Sequence, residues 1–263
     1  MIVAGIQMEV KDGDIAHNIS KAYKFVRMLY SAMPDMIVLP ELWCCGYLDD
    51  YSNVNYKIAF KAMSRFSILT KSLVIGSVPW HIEEGTYNRA LAVYEGQIVA
   101  YYDKIHLFKP FNEDKLFTPG SSLSIFKYKG VIIGFSICYD LRFPELVRKY
   151  ALNGVELIVS PAAWGKPRLH QWRTVTGSEA SVNQVYLVAV NRTGRGVFQE
   201  SFAGHSLIIN PWGDIVVEAG EQEGVILGEI DLSEIQSVRK RLPVLDDYRE
   251  KKDLYSSVRF FNV

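Results

Sequence analysis

The sequence predicts an α/β domain, and three observations predict it. Short apolar runs of strand length alternate with longer segments whose apolar residues recur at helical spacing. Turn-forming pairs such as Glu95-Gly96, Pro119-Gly120 and Asn153-Gly154, and the run Pro211-Trp212-Gly213-Asp214, separate them. No linker-like composition, low-complexity stretch or short-period repeat breaks the 263 residues, so the chain reads as a single domain over 1–263.

Taken in order, residues 2–8 and 36–40 are expected to be buried strands, and Ile19, Ala22, Val26 and Leu29 between them mark a helix. A second helix is expected over 56–70. Strands follow at 73–78, 90–94, 131–138, 155–161, 185–191 and 206–210, with helices at 144–152 and 170–183. This alternation argues for α/β layering. The stretch 73–138 is rich in strand and poor in helix, which fits a simple doubly wound sheet badly. Beyond about Leu242 the chain is rich in charge and ends Arg259-Phe260-Phe261-Asn262-Val263, so residues 243–263 read as a C-terminal arm over a partner subunit.

Apolar residues make up 49% and charged residues 22%, the balance of an ordinary soluble globular protein. Lys plus Arg and Asp plus Glu number 29 each. The resulting zero net charge gives no global field to attract nucleic acid or an anionic membrane, and neither is expected as a partner. The opening residues Met1 to Met8 lack the basic start of a secretory leader, and no run approaches the roughly 18 apolar residues of a spanning helix. Three cysteines, two of them the adjacent Cys44-Cys45, make no disulfide framework. The expected location is a reducing, cytoplasmic one.

Cys138 ends an apolar run and is followed by a helix-opening stretch, Tyr139-Asp140-Leu141-Arg142-Phe143-Pro144. At a strand-to-helix junction the unpaired N–H groups and the positive end of the helix dipole are expected to favour thiolate, the nucleophilic form. The bland reading is a buried structural cysteine. Two further segments share the pattern. Leu39-Pro40-Glu41-Leu42 places a carboxylate just past a strand end, and Asp103-Lys104-Ile105-His106-Leu107-Phe108 places an ammonium group among apolar neighbours. Singly, Glu41 and Lys104 read as surface charges; the combination is what points to chemistry.

These three blocks resemble the nitrilase superfamily of carbon–nitrogen hydrolases, which use a Glu–Lys–Cys triad. They occur in the family's order, with Glu41 and Lys104 63 positions apart (104 − 41) and Lys104 and Cys138 34 apart (138 − 104). Downstream, Asn183-Gln184-Val185-Tyr186, Asn191-Arg192-Thr193-Gly194, Gly204-His205-Ser206 and Asn210-Pro211-Trp212-Gly213 also look like family blocks. The resemblance covers residues 1 to about 245. It implies Cys138 as nucleophile, Glu41 as general base and Lys104 as cationic stabiliser, with Glu113 as a second glutamate beside the lysine and Asp114 as the residue most easily mistaken for it. The Tyr139 backbone N–H joins Lys104 in stabilising the oxyanion. No metal and no cofactor enter this scheme. The implied fold is a four-layer α-β-β-α sandwich, and the implied assembly a homodimer or higher homo-oligomer. The helix over 144–152, with Leu146, Val147, Tyr150 and Ala151 on one stripe, is the expected dimer contact. One departure stands out: where relatives show Arg-Ala-x-Glu-Asn, this chain has Glu179-Ala180-Ser181-Val182-Asn183.

The stretch from Ala163 to Trp172, with Asn183-Gln184 and Asn191-Arg192, looks most like the ω-amidase branch, which hydrolyses terminal amides of substrates carrying a remote carboxylate, such as 2-oxoglutaramate and succinamate. A cation is then expected at the far wall of the pocket. Arg168, Arg173 and Arg192 are the candidates, and Trp164 is placed on a loop where it would touch substrate. Trp172, Tyr186 and Phe202 read as core. Nitrilase action on small aliphatic nitriles, N-carbamoyl-amine hydrolysis and a non-catalytic regulatory role on the same scaffold are the alternatives. A papain-like pairing would need His106, His170 or His205 as base, and the chain has no His-Glu-x-x-His or Cys-x-x-Cys metal spacing. Gly194-Arg195-Gly196-Val197-Phe198-Gln199 carries half a dinucleotide fingerprint and reads as a flexible loop.

Overall fold

The computed structural model describes residues 1–196 and 201–251. Twelve strands among them form two six-stranded mixed sheets. The strands are β1 (Ile2–Gln7), β2 (Met36–Val38), β3 (Leu73–Ile82), β4 (Gly85–Tyr94), β5 (Gln97–Asp103), β6 (Ile125–Tyr128), β7 (Val131–Phe135), β8 (Leu157–Ala162), β9 (Tyr186–Asn191), β10 (Leu207–Ile209), β11 (Ile215–Glu218) and β12 (Gly224–Glu229). The first sheet runs β12-β1-β2-β3-β4-β5 and the second β11-β10-β9-β8-β7-β6. Strands β1, β2 and β3 are parallel, as are β7, β8 and β9, while the flanking pairs are antiparallel. Helices α1 (Ile15–Met28) and α2 (Tyr56–Thr70) cover the outer face of the first sheet. The short α3 (Glu113–Leu116) lies near the site, and α4 (Pro144–Leu152) and α5 (Leu169–Asn183) cover the second sheet. Two later helices, α6 (Leu232–Arg241) and α7 (Val244–Lys251), complete the order. This is the α-β-β-α sandwich.

The period-2 alternation of strands explains the layering. In β1 to β4, Val3, Met36, Val38, Leu73, Ile75, Ala90 and Ala92 face the second sheet and join its apolar residues in one core. Their neighbours Ala4, Ile6, Ile37, Val74, Leu91 and Val93 face the other way, onto Ala22 and Val26 of α1 and Met63 and Phe66 of α2. Both faces of each central strand are covered, so these strands are apolar throughout rather than alternating. At Gly5 the sheets approach so closely that an added Cβ would lie 2.7 Å from Val190 Cγ2.

The structure corrects several sequence expectations. Strands β5, β6, β11 and β12 were not anticipated, and they are the four sheet edges. Helices α6 and α7 were also missed; among their residues only Ile235, Val238 and Leu245 are buried apolar side chains. Leu146, Val147, Tyr150 and Ala151 are buried in this chain's own core, so the stripe expected as a dimer contact is already covered. Of the proposed arm, Val244–Lys251 is a helix against the same chain, with Arg249 Nη2 donating to Leu152 O at 3.1 Å. Residues 252–263 lie outside the described residues, as does the 194–199 loop from residue 197 onward. No helix among the described residues is long and apolar enough to cross a membrane.

Glu179 lies on α5 where it meets α4, 5% exposed, and Asn183 Nδ2 donates to its Oε2 at 2.9 Å. The departure at 179–183 therefore sits between the outer helices. Burial pushes the Glu179 carboxyl up to about 7 from an ordinary 4.5; Glu145 adds to the rise, while Asn183 and Arg148 oppose it. A carboxyl whose folded pKa is raised stabilises the fold fully below about pH 4.5, and that contribution is lost as pH climbs through 7. Glu179→Gln should then match wild type at pH 4.5 and exceed it above pH 7 by on the order of 1–3 kcal/mol, read from urea midpoints across that range.

Candidate active site

Three segments deliver the site to the space between the sheets. Glu41 lies just past β2 and Lys104 directly past β5, both in the first sheet, while Cys138 lies just past β7 in the second. The Glu41 N–H donates across to Ala162 O at the end of β8, 3.3 Å away. Antiparallel pairing of β4 with β5 sets the Lys104 N–H on Asn88 O at 3.0 Å. All of these side chains are buried.

Lys104 Nζ lies 2.7 Å from Glu41 Oε1 and 2.7 Å from Glu113 Oε2. Burial alone would lower the lysine's pKa, but the Glu113 and Glu41 carboxylates, with Cys138, outweigh it and hold the ammonium well above its ordinary value. Glu113 opens α3 and also accepts the Phe108 N–H at 2.7 Å; Asp114 is exposed and takes no part. Burial raises the Glu113 carboxyl, with Lys104 pulling against it. On Glu41, Oε1 receives both Lys104 Nζ and Asn88 Nδ2, the latter at 2.8 Å. Its Oε2 is buried with no hydrogen-bond partner among the described residues. One oxygen is thus tied down and the other keeps its lone pairs for a proton.

Cys138 adopts φ +46°, a left-handed conformation that a non-glycine residue holds at a cost of about 1–3 kcal/mol. It opens the 3₁₀ turn Cys138–Arg142. The thiol is not the preformed thiolate expected from the junction. Burial pushes it well up, and Glu41 adds to the rise; Lys104 and the Ala163 N–H pull the other way without prevailing. A single short turn has too small a dipole to offset desolvation. The resting thiol is protonated and needs a base. The first amide of the turn with a backbone acceptor is that of Asp140, onto Ile137 O at 3.0 Å, and the Tyr139 N–H comes one residue earlier.

Cys138 opens onto a small, narrow cavity lined by Tyr47, Phe108, Tyr139, Arg142, Ala163, Trp164, Gly165 and Arg168. Trp164 is fixed there by its N–H on Asn191 Oδ1 at 2.7 Å and its Nε1 on Arg168 O at 2.8 Å. Arg168 is among the lining residues. Arg142, which the sequence reading passed over, stacks on Trp164 with Cζ 4.2 Å from the ring and donates to Gln171 Oε1 at 2.8 Å. Among the described residues no carboxylate pairs with Arg142. Asn88 and Tyr47 left no sequence signal, because only sheet pairing and loop packing bring them near.

Two expected residues are not brought to the cavity. Arg192 is fully buried, pairs with Asp12 Oδ1 at 2.9 Å, donates to Val10 O and stacks on Phe202, so it anchors the segment after β1 instead. Arg173 is exposed and bound to Glu218 at 2.8 Å. Trp172, Tyr186 and Phe202 are buried, as expected of core residues. His106, His170 and His205 hydrogen-bond Asp140, Thr174, and Arg173 with Glu218, respectively, and none hydrogen-bonds Cys138 among the described residues. Nor do the described residues hold a group of three side chains suited to a metal ion.

The sequence profile of the carbon–nitrogen hydrolase family matches residues 2–240. The 2-oxoglutaramate amidase of Bacillus subtilis (strain 168) is 39% identical over 261 residues, covering 96% of this chain and 98% of that protein. The omega-amidase NIT2 of Homo sapiens is 31% identical over 258 residues, covering 91% of each. A carbon–nitrogen hydrolase superfamily protein from Xanthomonas campestris, with an arsenic adduct in its active site, superposes with a TM-score of 0.86. It shares 26% identity and covers 100% of this chain and 99% of its own.

Because burial keeps the Cys138 thiol protonated, its alkylation by iodoacetamide should accelerate through and beyond pH 9. Peptide mass spectrometry across pH 5–10 checks this; a plateau already reached near pH 6 would reveal a preformed thiolate ion pair.

Proposed function

The chain belongs to the carbon–nitrogen hydrolase family, and from that premise we propose that it is an ω-amidase, releasing ammonia from the terminal amide of a small substrate that carries a remote carboxylate. The observation that supports this reading is that one small cavity is lined both by the cysteine and by two arginines. Cys138, Arg142 and Arg168 all line it, with no carboxylate of the described residues on Arg142. Burial and the nearby Arg168 both disfavour the Arg142 cation, a cost that an anionic ligand offsets. The similarity to the 2-oxoglutaramate amidase favours that substrate class over an uncharged nitrile or an N-carbamoyl amine.

In the proposed sequence, Glu41 Oε2 takes the Cys138 proton as sulfur attacks the amide carbonyl carbon and the carbonyl π pair moves to oxygen. Lys104 Nζ and the Tyr139 N–H stabilise that oxyanion, a contribution of roughly 3–4 kcal/mol per donor in comparable sites. Collapse breaks the C–N bond, and the nitrogen leaves as ammonia with the proton from Glu41. Glu41 then removes a proton from water, which attacks the thioester. The second collapse expels sulfur, which regains its proton from Glu41, and the carboxylic acid is released and ionises to the carboxylate by giving its proton to solvent. When Glu41 is protonated, Glu113 still neutralises Lys104, so the ammonium is never left alone in a buried site. A homodimer and a cytoplasmic location belong to the same proposal; light scattering should give twice the 29.9 kDa chain.

Cys138→Ala should abolish ammonia release from 2-oxoglutaramate and succinamate, and Glu41→Gln should lower it by at least about a thousandfold. Turnover persisting in Cys138→Ala would sink the mechanism. No turnover on any amide by the wild-type protein would favour a regulatory role. Arg142→Ala should raise KM for succinamate about 10- to 100-fold, the loss of one charge-assisted contact, while leaving a simple aliphatic amide nearly unaffected. Faster hydrolysis of an aliphatic nitrile than of succinamate would overturn the ω-amidase reading.

A further inference from the structure

The candidate site is split between two sheets, so its geometry depends on something that fixes one sheet's residues against the other's. Asp140 is fully buried, and its single carboxylate accepts four hydrogen bonds. Two come from His106, its backbone N–H at 2.9 Å and Nδ1–H at 2.8 Å, both on Oδ1. The Tyr102 hydroxyl donates to Oδ2 at 2.9 Å, and the Ile137 N–H to the same oxygen at 3.0 Å. The Asp140 N–H returns to Ile137 O at 3.0 Å.

Tyr102 and His106 lie two positions either side of Lys104, while Ile137 and Asp140 bracket Cys138. One carboxylate therefore joins the lysine segment at the edge of the first sheet to the nucleophile turn at the end of β7 in the second. It also bears on the strained backbone, since a non-glycine residue at φ +46° persists only where its surroundings over-determine it. The reciprocal Ile137–Asp140 bonds close the turn around Cys138. His106 extends the support: its ring lies on Phe143 with centroids 3.5 Å apart, and Phe143 meets Tyr139 edge-on at 5.3 Å.

We propose that Asp140, with His106 and Tyr102, is the positioning group of this active site: it ties the Lys104 segment to the Cys138 turn across the two sheets and so sets the approach of the thiol to its base and its oxyanion donor. The inference rests on the reading of Cys138 as nucleophile. An ionised carboxylate only accepts, so it satisfies all four donors at once; an asparagine of the same size turns two of its acceptor positions into donors facing donors. The result is displacement rather than loss of a reacting group, and misplacement by about 1 Å costs on the order of a hundredfold in rate.

The test is single-turnover acylation of Cys138, followed by intact-protein mass spectrometry, with steady-state kinetics on 2-oxoglutaramate. Asp140→Asn should lower kcat and the acylation rate about a hundredfold while leaving KM within about twofold and the fraction of enzyme that completes a single turnover unchanged. A merely structural role would instead lower that fraction and leave the rate of the remainder intact, which would overturn the proposal. His106→Phe keeps the ring stack and removes only the Nδ1 donor; it should slow acylation about tenfold. The double variant should be no slower than Asp140→Asn alone, because both changes break one network. Should Asp140→Asn fail to fold, His106→Phe decides: acylation at the wild-type rate overturns the proposal. Cys138→Ala is run in parallel. If it turns over substrate, the nucleophile reading fails; if it is dead while Asp140→Asn matches wild type, only the positioning role fails.

Discussion

A lysine ammonium with no exposed side-chain surface, held 2.7 Å from each of two buried carboxylates, is the interaction on which the rest of this site depends. Taking one such ion out of water costs several kcal/mol, and the cost is met only when partners and hydrogen bonds are supplied in full. Here Glu41, Glu113, Asn88 and the Phe108 N–H supply them. Two carboxylates on one cation leave a net negative charge in the interior. Burial makes a thiolate there costly and the Glu41 charge adds to the cost, which is why the Cys138 thiol lies above its ordinary range rather than below it. A proton transfer from sulfur to carboxylate moves this charge without adding to it. The same electrostatic arrangement thus disfavours a resting thiolate and allows one to form when an electrophile arrives.

The two-sheet architecture is what makes that arrangement possible. A single doubly wound sheet places its loops in one crevice, exposed along one side. Two sheets packed face to face bring the ends of β2, β5 and β7 together at a seam with protein on every side but the cavity mouth. The central strands are apolar on both faces and carry the core, whereas the edges are free to carry polar work. Lys104 follows edge strand β5, and Asn88 lies on its neighbour β4. Even the cross-sheet hydrogen bond from Glu41 N–H to Ala162 O links a residue of the proton-accepting side to the segment that goes on to Ala163 and Trp164 of the cavity wall.

The strands readable from sequence were those covered on both faces, because continuous Val, Ile and Leu runs are unambiguous at short length. The four unread strands are sheet edges: β5, for instance, alternates exposed and half-buried residues through Gln97, Ile98, Val99 and Ala100, and β11 leaves Ile215 and Val216 exposed. Partial burial weakens the apolar signal that strand recognition uses. Helices α6 and α7 went unread for a similar reason, since few of their residues are buried. The stripe on α4 was visible, but periodicity shows only that a face is buried, not whether its own sheet or another subunit buries it.

At the site, the sequence by itself determined the blocks around Glu41, Lys104 and Cys138, because their residue types, order and spacing are properties of the chain, while Glu113 entered only through the family resemblance those blocks carry. The sequence also carried Trp164 and Arg168, two neighbours on one loop. Only the tertiary structure decided which arginines share the cavity: Arg142 does, whereas Arg192 is neutralised by Asp12, 180 positions earlier, and Arg173 by Glu218. It likewise decided which oxygen of Glu41 is free and that the Cys138 thiol is protonated at rest. The physical reason is the same in each case. A charged group's chemistry follows from its burial and from the groups within a few ångströms of it, and in this fold those neighbours come from the other sheet or from distant loops.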